Sequence, residues 1–575
     1  MALKRVLIAN RGEIGLRLVR GCHAASIEAI AAHVAGEADA PYVEAADGAV
    51  EVSTFLDAAV LVAAARSAGC DALHPGYGFL SERPELAEAC AAAGVVFVGP
   101  SPDALRRLGD KVAARELAVG AGFTLVPGGS DPAAIGFPVL VKAAAGGGGR
   151  GMRVVRGADE LDAAMVSAAR EAEAAFGDPT LSVERYLEGA RHVEVQAFGD
   201  GQGGALHLGL RDCSLQRRHQ KVIEEAPAPG VPEAEAAALG EAACALLRSV
   251  SYAGAATVEL LREPDGTTYF LEVNARLQVE HPVTELVTGV NLVRLQLRIA
   301  GGERLPDRLE WRPQGHAVEA RLVAEDPDNG FLPTAGTLLR FDLPVDVRVD
   351  AGYRAGQEVP TTFDGLLAKI VAHGADRAEA FERLAAALDQ TVVLGLQTNL
   401  PLLRALVADP EVRAGRLDTT LVERTHAPVA TTPSPAAAWA ARALQARHGR
   451  FRIGLVTAPE LPVASAADGA VHVLDDGRDR RFAADVAPDV AETAARPATA
   501  GGSGVSSPMP GRVLAIACAV GDLVAAGTVL AVLEAMKMEH PVTAPYDAMV
   551  VAVRCAPGDQ ITAGAELVLL EARLS

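Results

Sequence analysis

The chain has 575 residues, too many for one hydrophobic core, and ordinary domain sizes divide it into three or four units. Its 53 Lys and Arg face 73 Asp and Glu, a formal charge of −20 that argues against non-specific binding of nucleic acid or anionic membrane. An anionic ligand would need a local basic site.

No apolar run approaches the roughly 18 residues of a membrane span, and the opening "MALKRVLIANRGE" is too short in apolar residues for a secretory leader. The 7 cysteines are scattered, odd in number and never form a CxxC pair, which suits a reduced cytoplasmic protein without a zinc site.

In chain order, residues 1–113 alternate strand and helix, from "RVLIAN" through "EIGLRLVRGCHAA" to "VVFVGP", and this βα alternation predicts a parallel sheet covered by helices. Residues 114–205 hold apolar strands on both sides of "AAAGGGGRG", then a helix and two more strands, the pattern of a small α+β lid. Residues 206–445 resume mixed strands and helices. Residues 446–485 carry only short strand-like pieces, and 486–507, rich in Ala, Pro, Gly and Ser, read as a flexible tether. A coil of that length spans roughly 25 Å and extends to about 75 Å.

The last unit, 508–574, repeats internally: Gly521-Asp522, Gly527, Leu530, Leu533 and Glu534 match Gly558-Asp559, Gly564, Leu567, Leu570 and Glu571, each pair 37 positions apart. Two such β-rich halves would each expose an apolar face alone, so they are expected to pack as a small all-β sandwich or barrel. Between them lies "EAMKMEHPV", with Lys537 set between two of the chain's 7 methionines. Read alone, it is an exposed hairpin lysine beside core methionines.

Four stretches could carry chemistry. In "TYFLEVNARLQVEHP", period-two alternation puts Glu272, Asn274, Arg276, Gln278 and Glu280 on one face. The preceding strand "ATVELL" is joined to it through Asp265-Gly266, and a two-residue hairpin there sets Glu259 opposite Glu272. Opposed carboxylates destabilise a sheet unless a cation compensates, which suggests a divalent ion held with nucleotide phosphates. The run Gly146, Gly147, Gly148 and Gly149 could fold over phosphates beside Lys142, although the Walker pattern GxxxxGK[ST] is absent. Finally, "RDCSLQRRHQK" gathers Arg211, Arg217, Arg218, His219 and Lys221 in an acidic chain, either a solvated surface run or a site for a small oxyanion.

Taken together, "VLIANRGEIGLRL", "HPGYGFLSE", "GDK", "GGGGRGMRVV", "RDCSLQRRHQK", "EEAPAPG" and "NARLQVEHPVTE" resemble biotin carboxylase, an ATP-grasp enzyme, and "EAMKMEHPV" resembles the biotinylation site of a biotin carboxyl carrier domain. The resemblance implies a fold with a Rossmann-like N-terminal part, an ATP-grasp lid, a mixed C-terminal part and a pseudo-symmetric all-β biotinyl domain. It implies activation of bicarbonate by ATP with Mg2+ or Mn2+, and transfer of the carboxyl group to a ureido nitrogen of biotin. On matched positions, Lys111 and Lys142 would hold ATP phosphates under the glycine loop, with Glu184 and His192 at the nucleotide. Glu259 and Glu272 would be metal ligands, with Asn274 in the same site. Lys221, Arg276, Gln278 and the Val279 backbone would bind bicarbonate, Glu280 would be the general base, and Arg340 would stabilise the biotin oxyanion. Gln216 and His219 lie in the motif with less defined roles.

By the same resemblance Lys537 would carry biotin, joined by a biotin protein ligase, and its paired methionines favour biotin over lipoate. Outside the resembling segments about 60 residues remain, too few for a carboxyltransferase domain. A separate beta subunit is therefore expected to handle an acyl-CoA, acetyl- or propionyl-CoA in the first instance and a 3-methylcrotonyl-CoA or pyruvate-type acceptor as the alternative, within a hetero-oligomer that contains several copies of this chain. Residues 446–485 could be a reduced beta-subunit-binding region. A non-catalytic biotinylated scaffold is the competing class, and retention of Lys221, Arg276, Glu280, Glu259 and Glu272 argues against it.

Overall fold

The first strands of the computed structural model form a parallel sheet in the spatial order Gly48–Glu51, Glu28–His33, Arg5–Ile8, Ala72–His74 and Val96–Phe97. The structure describes residues 2–129, 132–143, 152–176, 178–217, 220–306, 313–426, 434, 437, 441, 461–468, 470–482, 503–535, 538–562 and 564–572. The parallel sheet is the architecture expected of βα alternation, with helices Gly12–Ala24, Ala58–Ser67 and Pro84–Ala92 covering continuous apolar strands such as the buried Val6, Leu7 and Ile8. The strand order reverses between Arg5–Ile8 and Ala72–His74, and ligands of open parallel sheets sit in the crevice beyond such a switch point. Here the chain leaves those two strands as Asn10–Gly12 and Tyr77–Phe79, and the Asn10 amide ties them by donating to the carbonyls of Pro75 and Tyr77, each at 2.7 Å.

The lid is a four-stranded antiparallel sheet ordered Gly128–Gly129, Leu181–Arg185, Val139–Ala143 and Arg153–Val155, backed by helix Ala158–Phe176. Val139, Val141, Val155, Ala168 and Val183 form its own small core. Gly146, Gly147, Gly148 and Gly149 lie outside the described residues.

A nine-stranded sheet makes up the largest layer, running from Arg348–Ala351 through Leu366–Gly374, His316–Val323, Gln220–Ala226, Ala205–Arg217, Arg191–Asp200, Ala253–Arg262 and Thr268–Asn274 to Thr124–Leu125. Its hairpin Arg191–Asp200 with Ala205–Arg217 crosses the expected boundary at residue 205. Helix Glu233–Ser249 packs on one part of this sheet and Arg377–Gln390 on the other, each through its own apolar cluster.

Residues 463–482 make three antiparallel strands, Val463–Ser465, Val471–Asp475 and Arg478–Phe482. They dock on the large unit through Leu474 against Val392 and Leu394, Arg478 with Asp328, and the Asp479 carboxylate accepting from the Gly395 amide.

The carrier unit consists of two four-stranded sheets around Val513, Leu530, Leu533, Val550, Leu567 and Leu570. The repeat read in the sequence is a repeat of geometry: Gly521 and Gly558 have φ of +96° and +98°, and Asp522 and Asp559 each accept an amide three residues back at 2.8 Å. One expectation is corrected. The tether was expected to run to residue 507, but Ser503–Ser506 is a strand paired with Glu566–Ala572, where it covers what would otherwise be an open edge. Its Ser-Gly composition disguised it as linker.

Candidate active site

The N-terminal crevice, the lid and the nine-stranded sheet enclose a cavity of about 1060 Å³. Asn10, Arg11 and Gly12 reach it from one side, Lys142 and Glu184 from the lid, and Lys221, Glu259, Glu272, Asn274, Arg276, Gln278 and Val279 from the large sheet and its continuation.

The floor is built by register. Glu194, Glu259 and Glu272 are direct cross-strand partners on three neighbouring strands, so three carboxylates lie in a row. The Glu259 to Glu272 opposition was expected from a two-residue turn, yet it arises differently. The Glu263 N–H donates to the Thr267 carbonyl as the last rung, leaving a three-residue loop, and an irregularity between Glu259 and Leu260 on one strand and Phe270 and Glu272 on the other then restores the pairing. The expected alternation also ends early. The strand stops at Asn274, and Glu280 enters the site from the residue that precedes helix His281–Thr288.

Such a row of like charges needs counter-charges. Fully buried Arg211 supplies one, its Nε donating to Glu194 Oε1 at 2.5 Å. Lys221 supplies the other: its Nζ lies 2.6 Å from Glu194 Oε2, 2.8 Å from Glu259 Oε1 and 2.7 Å from Glu280 Oε1. Burial alone would lower the Lys221 pKa, but Glu194, Glu259 and Glu280 outweigh it and hold the ammonium well above its ordinary value. Glu280 is the mirror case. Burial favours its acid form, whereas Lys221, Arg321 and Arg211 keep it ionised, well below the usual carboxylate range, with Arg321 donating to Oε2 at 2.9 Å.

Glu259 is likewise depressed against its burial by Lys221 and His192, whose Nε2 is 3.2 Å away. Glu272, facing the cavity, is pushed up by burial and by Glu259. These two carboxylates with the Asn274 carbonyl form an all-oxygen donor set of the kind that suits Mg2+ or Mn2+, and the repulsion between Glu259 and Glu272 is what a cation there would relieve. Asn274 Oδ1 meanwhile accepts from Arg276 at 2.8 Å, and Arg276 Nε donates to Glu82 at 2.8 Å. Gln278 donates to Glu259 at 3.1 Å, and Gln216 is the cross-strand partner of Lys221.

At the end of the cavity beneath the lid, Lys142 Nζ and Arg115 each contact Glu184 at 2.6 Å. Asp110 caps helix Lys111–Gly120 and so places Lys111 in its first turn beside the cavity, where burial and the Lys142 charge lower its pKa. Two lysines side by side at one wall of the cavity are matched to a polyanion such as a phosphate chain.

Other expected residues are not brought together. Arg340 is outside the cavity lining, with its Nε donating to Asp342 at 2.7 Å. The basic run divides: Arg211 and Lys221 serve the carboxylate row, while Arg217 stacks on Phe331 and pairs with Glu325 at 3.1 Å. His219 and Lys537 lie outside the described residues, as do 446–460 and 486–502. Val529–Ala535 and Met538–Thr543, on either side of Lys537 in the chain, pair up to Ala535 opposite Met538 as a hairpin. Glu194, Arg321 and Glu82 had not been singled out as site residues, and Arg211 had been read only as one member of the basic run. Glu194 shares the "RHVEV" alternation with His192, but only the strand order sets it beside Glu259.

Comparison with known proteins agrees along the chain. Residues 2–105 match the family "Biotin carboxylase, N-terminal domain", 128–308 "Carbamoyl-phosphate synthase L chain, ATP binding domain", 319–424 "Biotin carboxylase C-terminal domain" and 503–570 "Biotin-requiring enzyme". The chain is 39% identical over 578 residues to the biotin-dependent acyl-coenzyme A carboxylase alpha3 subunit of Mycobacterium leprae, covering 94% of each protein. It is 41% identical to the mitochondrial methylcrotonoyl-CoA carboxylase subunit alpha of Rattus norvegicus, over 75% of this chain but only 64% of that longer subunit. Among solved structures, the biotin carboxylase domain of 2-oxoglutarate carboxylase from Hydrogenobacter thermophilus, in complex with MgADP, ADP and bicarbonate, superposes with a TM-score of 0.71 at 38% identity, covering 74% of this chain and 98% of that one. The chain belongs to the biotin carboxylase family of ATP-grasp enzymes and carries a biotin-requiring carrier domain in the same polypeptide.

Proposed function

We propose that the chain uses ATP and bicarbonate to carboxylate biotin attached to its own carrier domain at Lys537. The observation that carries this reading is the convergence of Glu194, Glu259 and Glu280 on Lys221 inside one cavity, with a carrier unit on the same chain. Biotin, when attached, supplies a ureido nitrogen that accepts and later releases a carboxyl group. Lys111 and Lys142 neutralise the ATP phosphates, with Glu184, His192 and the loop of Gly146, Gly147, Gly148 and Gly149 completing the nucleotide site. Glu259, Glu272 and Asn274 offer oxygens to Mg2+ or Mn2+. Lys221, Arg276, Gln278 and the Val279 backbone hold bicarbonate, and Glu280, kept ionised by its cationic neighbours, takes its proton. Gln216 and His219 support this region, and Arg340 acts on biotin once carrier docking brings the ring to its guanidinium.

The finer reading is an alpha subunit that works with a separate carboxyltransferase beta subunit on an acyl-CoA, acetyl- or propionyl-CoA, supported by the near full-length likeness to an acyl-coenzyme A carboxylase subunit. A 3-methylcrotonyl-CoA acceptor is the second reading, favoured by the likeness to a methylcrotonoyl-CoA carboxylase subunit. A biotin protein ligase and further copies of this chain complete the expected partners, in the cytoplasm.

Two measurements test the proposal. The purified chain should release ADP from ATP with free biotin only when bicarbonate is present; no turnover with either Mg2+ or Mn2+ would favour the scaffold class. Lys537→Arg should abolish streptavidin reactivity and leave turnover of free biotin intact, whereas a persisting signal would place biotin elsewhere. An acyl-CoA panel with the co-purifying subunit then separates the acceptors.

A further inference from the structure

The turn formed by residues 278–280 carries three groups assigned above to the anion: the Gln278 amide, the Val279 backbone and the Glu280 carboxylate. It lies beyond the end of its strand, so no sheet ladder fixes its peptide planes. Besides a long 3.3 Å bond from the His281 backbone N–H to the Gln278 carbonyl, side chains do so. His281 Nδ1 is 2.7 Å from the Gln278 carbonyl, and Lys369 Nζ is 3.0 Å from the Val279 carbonyl. A carbonyl only accepts, so Nδ1 carries the imidazole proton, and burial together with Lys369, Arg17 and Arg348 keeps that ring neutral.

Both side chains are fully buried and neither lines the cavity, whereas Gln278 and Val279 do. The two carbonyls therefore point to the rear of the turn. Lys369 comes from strand Leu366–Gly374 and is balanced by Glu13 Oε2 at 3.0 Å, from the first helix, and by Asp350 at 3.9 Å. An anion next to a freely turning carbonyl would meet a negative oxygen in some orientations and an N–H in others. Pinning both oxygens from behind removes the repulsive orientations.

We propose that His281 and Lys369 are positioning residues of the anion subsite, holding the carbonyls of Gln278 and Val279 away from bicarbonate so that the turn presents its N–H groups and the Glu280 carboxylate. The proposal rests on the biotin carboxylase reading. It differs from a packing role because it places the effect on one substrate.

The test uses the full chain with free biotin, measuring bicarbonate-dependent ADP release. His281→Leu removes the donor, and His281→Asn returns an amide N–H near the position of Nδ1. His281→Leu should raise the bicarbonate KM about tenfold and slow turnover, with the ATP KM unchanged and most of the loss restored in His281→Asn. Should the His281 variants fail to fold, Lys369→Met combined with Glu13→Gln removes the second donor together with the Glu13 charge and leaves Asp350 paired with Arg348, and it should show the same substrate-selective rise. An unchanged bicarbonate KM, or bicarbonate and ATP KM rising together without rescue by Asn, would overturn the proposal. A wild-type chain that needs no bicarbonate for ADP release would instead overturn the reading beneath it.

Discussion

Glu224 shows how far the charge arrangement reaches behind the cavity. It is fully buried, cross-strand from Glu319, and accepts from Arg321, the same guanidinium that holds Glu280. Burial pushes its pKa up from 4.5 to about 7, with Arg321 opposing and Glu280 adding to the rise. The folded chain therefore keeps a proton there that the unfolded chain has released, so this contribution to stability is complete below about pH 4.5 and is lost as pH rises through about 7. Glu224→Gln should flatten the dependence of the unfolding midpoint on pH between about 5 and 8. An unaltered slope in chemical denaturation would show that another group sets it. At this scale the sequence disclosed the residues that share a strand, such as Glu272 and Asn274, because period-two alternation is local. It did not disclose Glu194 or Arg321, nor that Arg211 would pair with Glu194, because these matter through strand order and register, quantities that no short window contains.

Among the elements, the hairpin Ala253–Arg262 with Thr268–Asn274 is instructive, because the opposition of Glu259 and Glu272 was foreseen from a turn that is not there. A loop one residue longer and a compensating bulge give the same pair, and bulges commonly re-aim side chains beside active sites. The carrier repeat was more legible, since glycines fixed at matching turns leave a signature in the sequence itself. Gly521 and Gly558, at φ of +96° and +98°, occupy conformations that a β-branched residue enters only with strain. Gly521→Val and Gly558→Val should each lower the stability of the carrier by about 1–2 kcal/mol. Calorimetry of the carrier transition in the full chain would check this, and losses that differ by more than about 1 kcal/mol would break the equivalence of the two halves. The strand Ser503–Ser506 was missed because it owes its conformation to pairing with Glu566–Ala572 rather than to its own small polar residues.

For the molecule as a whole, long motifs were enough to outline a three-part unit followed by a carrier, because each motif ties residue types to a fixed local geometry. Contacts between parts were not legible, among them Lys369 to Glu13 and Arg478 to Asp328, since each joins segments more than a hundred residues apart. The most consequential of the distant contacts is the sharing of Lys221. One ammonium serves three carboxylates, so whatever neutralises Glu259 leaves more of that positive charge for the Glu280 end of the cavity. The two ends are then linked as a single charge balance, and linkage between binding events is reciprocal. Equilibrium titrations should find that Mg2+ tightens bicarbonate binding by the same factor by which bicarbonate tightens Mg2+, and equal affinities with and without the other ligand would show the ends to be independent. Lys221 thus works as a resident counter-ion on loan, and the cavity becomes ready for its anion in proportion to how fully its cation has arrived.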